Sequence, residues 1–149
     1  MPCSYSYFAD VPLIAIRYSG RITSRALLNI ARELRTAPEF DPRFDLLIDM
    51  RALIDVDFSA NDLLGHAMRL AMEKKGLARP VRYAVLIDEG NEEVRALVRT
   101  YLGYTALAEN VEFREFGDAV AAASYLGVQG TAEDILARAS WVEVDDGSG

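Results

Sequence analysis

The sequence predicts an α/β (or, by another convention, α+β) chain built on a mixed β-sheet of about five strands with flanking helices. Short apolar runs at 13–18, 45–50 and 81–88 read as strands, and the last two are continuous enough for central strands covered on both faces. Segments with apolar residues at helical spacing separate them. The resulting order, ββαβαβαβα, implies a mixed sheet with helices packed on it.

Each element has its own signal. Residues 4–9 (SYSYFA) alternate, and Asp10, Val11 and Pro12 form the turn of a hairpin with LIAIRY. Thr23 or Ser24 caps a first helix with Leu27, Leu28, Ile30, Ala31 and Leu34 as its stripe, and Pro38 stops it. The strand DLLIDM follows, with Asp55 and Asp57 as loop acids after it. A second helix runs from Ser59 to about Lys75, with Leu63, Leu64, Ala67, Leu70 and Ala71 inward and Gly76 at its end. Leu47, Ile48, Val85 and Leu86 are expected to be almost free of solvent. The third helix, 91–108, has Val94, Leu97, Val98, Tyr101 and Leu102 as its stripe and two acids in its first turn. VEFREF (111–116) is a strand, and GDAVAAASYLG a short helix closed by Gly127.

Composition narrows the function. A chain of 149 residues reads as one domain, long enough for a core without disulfides. The formal net charge of −7, with basic residues scattered, argues against nucleic acid and against anionic membranes. No apolar run approaches the roughly 18 residues of a membrane helix, so no integral membrane contact is expected. The start, MPCSYSYFAD, carries no secretion signal, which makes the expected location cytoplasmic. One Cys and one His leave little for a zinc site, and no cofactor is expected.

The stretch from about Tyr5 to Gly127 resembles the SpoIIAA-like branch of the STAS superfamily. The resemblance rests on YSGRIT, PEFDPRFDLLIDMRAL, DVDFSANDL and REFGDAVAAASYLG. It implies a small mixed sheet flanked by helices, in a group related to anti-sigma-factor antagonists and to CRAL-TRIO lipid-binding proteins. In such antagonists a strand ends in Asp-Ser-Ser-Gly, and a kinase phosphorylates the second Ser at the start of the next helix. The matching residues are Asp57, Phe58, Ser59 and Ala60. A ring and a methyl thus stand where the motif has Ser and Gly.

Ser59 with Asp62 fits the S/T-x-x-D/E capping pattern. Ser59, Asp57 and Asp62 are therefore the candidate site: a helix N-cap, and by resemblance a phospho-switch. Asp49, Asp55, Asp57 and Asp62 lack the Gly-rich loop of a phosphate–Mg²⁺ site, so no metal is assigned. His66 has no second His or Cys as co-ligand, and Ser59 has no nucleophile elbow, so no catalytic residue is assigned.

Residues 1–127 form the expected domain, and 128–149 an extension beyond it. Thr131 and Asp134 again have capping spacing, and Ile135, Leu136 and Ala139 share one face. The only Trp, Trp141, follows with Val142 and Val144, and DDGSG is expected to be loose. Ile135, Leu136 and Trp141 are candidate interface residues, covering either the chain's own sheet or that of a second copy in a homodimer. The expected function is a non-enzymatic regulatory or protein-interaction module; the alternative is a carrier for a lipid-like or small apolar ligand. A deep apolar cavity favours the carrier, and a filled core with an exposed apolar patch favours the interaction module.

Overall fold

Successive residues of a strand send their side chains to opposite faces of a sheet, and the two faces here are filled differently. One face carries Ile14, Ile16, Tyr18, Leu46, Ile48, Tyr83 and Val85, the other Leu13, Ala15, Leu47, Ala84 and Leu86. The computed structural model describes residues 3–106 and 108–144. Its elements are β1 (Cys3–Phe8), β2 (Leu13–Thr23), α1 (Ser24–Thr36), β3 (Asp45–Asp57), α2 (Ala60–Glu73), β4 (Val81–Leu86), α3 (Glu92–Thr105), β5 (Val111–Phe116), α4 (Ala119–Leu126), α5 (Ala132–Ala137) and β6 (Val142–Val144).

The six strands form one mixed sheet in the order β5-β4-β3-β2-β1-β6. Strands β2 to β5 are parallel neighbours, and β1 and β6 extend the sheet antiparallel beyond β2. Each parallel step is one crossover, β2-α1-β3, β3-α2-β4 and β4-α3-β5. Crossovers of one hand that advance in one direction put their helices on one face. Residues of α1, α2 and α3 accordingly pack on the large side chains of the first face. On the other face α4 and α5 bring Ala122 and Ala132 against Ala15 and Ala84, small residues that let the helices sit close. As expected, Leu47, Ile48, Val85 and Leu86 are buried on interior strands.

Several boundaries differ from the sequence reading. β2 continues to Thr23 and β3 to Asp57, pairing as a two-stranded ribbon beyond the end of β4. Gly20, at φ 65°, lies at a register shift in that ribbon. Asp55 and Asp57 therefore lie on a strand, not a loop, where Arg21 of the paired strand faces them at 3.4 and 3.5 Å. Thr23 caps α1. Strand β4 ends at Leu86, α2 at Glu73 and α3 at Thr105. Leu28 and Leu64, expected inward, face solvent.

The extension adds the sixth strand. The backbone of β1 would otherwise be an open edge, and β6 closes it by pairing Cys3 with Val144, Ser4 with Glu143 and Tyr5 with Val142. The closing DDGSG lies outside the described residues.

Candidate functional site

Helices α1, α2 and α3 cover the first face unequally. Ala26, Ile30 and Leu34 bury α1, whereas α2 buries only Leu63 and Ala67 in fourteen residues and packs chiefly against α3. A cavity of about 190 Å³, open to solvent on one side, remains between α1, α2, α3 and the sheet. Its floor includes Ile16, Ile48 and Val85, and its walls include Leu27 and Leu34 of α1 and Leu97 and Leu102 of α3. The lining is predominantly apolar, with a few charged groups among it. A second hollow of about 230 Å³ beside β5, bordered by Thr105, Arg114 and Tyr125, is more open and as polar as it is apolar.

The polar groups of the main cavity come largely from α2. His66, Arg69, Leu70, Glu73 and Lys74 line it together, because three- and four-residue steps keep side chains on one helix face. The opposite stripe holds Leu64, Met68 and Met72, at 40, 60 and 78% exposure. Burial and then the charge of Arg69 push the His66 imidazole below its ordinary value, against a weaker opposing effect of Asp62. The Lys74 ammonium is buried, donates to the Pro42 carbonyl at 2.8 Å, and pairs with Glu73 at 3.3 Å. Burial lowers its pKa, and Glu73 partly offsets this. Tyr18, Tyr83 and Tyr101 also reach the cavity, and burial raises all three phenols well above their usual range. The ring of Phe113 lies 4.3 Å from Tyr83 and 5.2 Å from Tyr101.

Of the sequence-derived site, Ser59 and Asp62 are joined and Asp57 is not. Ser59 is the N-cap of α2: its Oγ accepts from the Asp62 amide at 3.2 Å, and the Asp62 carboxylate accepts from the Ser59 amide at 2.9 Å. Asp57 turns to Arg21. Asp49 is held by Arg51 at 2.9 Å, and among the described residues no three potential ligands gather around a metal position. Phe58, standing where the resemblance has a serine, lines the cavity.

Ile135, Leu136 and Trp141 are placed by α5 and β6 on the chain's own second core, with Ile135 at 2% exposure and the other two half-buried. They pack on the chain's own sheet. Arg17 stacks its guanidinium 4.2 Å from the Trp141 ring. Arg138 pairs with Asp10 at 2.9 Å, the Ser140 amide donates to Ser6 Oγ at 3.0 Å, and Arg51 bridges to Glu133.

The sheet thus has four parallel strands, β2 to β5, extended by antiparallel β1 and β6, with the crossover helices on one face. No protein-family model matches the chain, and no curated protein matches it. Among solved structures it is similar to an uncharacterised protein of the DUF3478 family, with a SpoIIAA-like fold, from Shewanella loihica PV-4. The two share 21% identity at a TM-score of 0.51, over 82% of this chain and 90% of that one. Among the described residues no helix is long and apolar enough to cross a membrane.

The sequence reading carried an apolar cavity only as its alternative. The trace of the cavity was the face that His66, Arg69 and Glu73 share with Leu63 and Leu70, polar groups on what should be a dry stripe.

Proposed function

We propose that this chain is a non-catalytic binding module that carries one lipid-like or small apolar molecule beneath α1 and α2. The observation behind the reading is the 190 Å³ apolar cavity. Protein interiors are close-packed, with few voids larger than a water. An apolar cleft open on one side, with a few convergent polar groups, is the usual form of a small-molecule site. Its size also limits the occupant. A dry cavity of about 150 Å³ accepts benzene, and drug-sized ligands need about 300 Å³ or more, so a single ring or one medium-length chain fits.

Native mass spectrometry of protein purified from its own host, with melting curves in added 1-decanol, tests the reading. A bound apolar adduct or a decanol-induced rise in melting temperature is expected, and Ala31→Phe, which puts a ring into the cavity wall, should abolish it. A wild-type protein with neither adduct nor shift overturns the proposal.

A second reading, regulation through a protein partner, is favoured by the exposed Ile54, Leu64, Met68 and Met72. In this reading Ser59 is the switch, because its hydroxyl is exposed at the positive end of the α2 dipole. A phosphate there meets free amides but displaces the Asp62 carboxylate. Phosphate mass on Ser59, or a protein complex or homodimer in the same native spectrum, supports this reading; an unmodified monomer counts against it.

A further inference from the structure

The arginines of this chain are mostly accounted for by their neighbours. Arg21, Arg43, Arg51, Arg79, Arg99 and Arg138 face carboxylates. Arg17, Arg82 and Arg114 lie over aromatic rings. Arg35 and Arg95 bond backbone carbonyls, and Arg25 and Arg32 point into solvent. Arg69 is different. It is half-buried, lines the apolar cavity, and among the described residues has no carboxylate, carbonyl or ring as partner.

Its natural partner is present but committed elsewhere. Glu73, four residues on, could form an intrahelical pair, although the order Arg-then-Glu is the weaker orientation. The Glu73 carboxylate instead lies 3.3 Å from Lys74 Nζ. A guanidinium cannot shed its charge, and a partly desolvated cation without a counter-ion is unfavourable. The cavity lining as a whole carries Arg35, Arg69 and Lys74 against Glu73 alone, an excess of two positive charges in a chain whose net charge is −7. His66 is held neutral and adds none. Tyr101 lies within electrostatic reach of Arg69, and Tyr101 and Tyr83 stay protonated. Their hydroxyls bond no described residue and remain free to donate.

From this arrangement we infer that the ligand is an anionic, single-chain amphiphile, its carboxylate head on Arg69 and the Tyr101 hydroxyl and its apolar chain along the Ile16, Ile48 and Leu34 surface. The inference rests on the proposed carrier function and adds the head-group chemistry. A carboxylate supplies what the site lacks: planar oxygens that a guanidinium grips in a fork, at roughly twice the strength of a neutral hydrogen bond. One medium-length chain matches the cavity volume of about 190 Å³.

The experiment compares decanoic acid with 1-decanol, equal in chain and different only in head, by calorimetric titration at pH 8. Wild-type protein should bind decanoate at least about tenfold more tightly than decanol. Arg69→Met, which keeps length and apolar volume, should remove that preference, and Arg69→Lys should restore part of it. Equal affinity of the wild type for the two probes overturns the head-group assignment and leaves the carrier function standing. Binding of neither probe overturns the carrier function itself. The wild-type comparison decides the head group even if Arg69→Met does not fold.

Discussion

Ile135→Ala should destabilise the protein by about 3 kcal/mol. The side chain is 2% exposed and sits in the second core beside Phe8, Leu13 and Ala132. The substitution removes three buried carbons at about 0.8 kcal/mol each. The residual cavity adds to that, within the roughly 2–5 kcal/mol seen for such truncations. At about 2–4 °C per kcal/mol for a chain of this size, the melting temperature should fall by roughly 6–12 °C. Urea unfolding followed by fluorescence and by far-UV circular dichroism measures it. The single Trp141 lies in the extension against Arg17, so its emission reports this region alone. Coincident transitions by both probes, shifted together in the variant, are expected of one cooperative unit. A loss below about 1 kcal/mol, or a Trp141 transition ahead of the circular-dichroism transition, would show that residues 131–144 are an appendage and refute the packing argument.

Ser59→Ala should cost about 1 kcal/mol through the lost cap, read as a lower melting midpoint, with Ser59→Asp close to wild type; an unchanged midpoint for the alanine variant counts against the cap. Leu47→Ala, at a position with 0% exposure on an interior strand, should cost about 2–5 kcal/mol in urea unfolding, and a cost under 1 kcal/mol would place that strand elsewhere. The folded state holds the His66 pKa below its ordinary 6.5. As pH drops, the unfolded chain therefore takes up this proton first, and stability is lost below about pH 6.5. His66→Gln should flatten the melting-temperature profile between pH 7 and 5, and equal slopes for both proteins would exclude His66 as the source.

The order of elements was legible because each crossover joins two signals of different period: LLIDM and VRYAVL read as continuous apolar strands, and the stripe at Ile30 and Leu34 reads as a helix. The capping pairs at Ser59 and Thr131 were legible for a related reason, since each is closed within four residues. The length of β2 and β3 was not. RIT and RALIDVD are strand because they pair with each other across more than thirty residues, with Arg21 facing Asp55 and Asp57, and such pairing leaves no local mark. The packing of Ile135, Leu136 and Trp141 on their own sheet was equally hidden, because it depends on β1 presenting an open edge to β6. The cavity was hardest to read. It arises from how far α2 stands off the sheet, a distance no single residue sets.

That standoff makes α2 a reporter. With only Leu63 and Ala67 fully buried, the segment Ala60–Glu73 has little docking energy. An undocked helix of fourteen residues is marginal in water. Its amides should therefore exchange with solvent through a local opening far cheaper than global unfolding, while β3 and β4 stay protected. Any molecule that fills the space beneath α2 raises the free energy of that opening and slows exchange along α2 before it alters the sheet. Occupancy of the cavity can then be followed as deuterium uptake in one fourteen-residue stretch, whatever the chemical nature of the occupant.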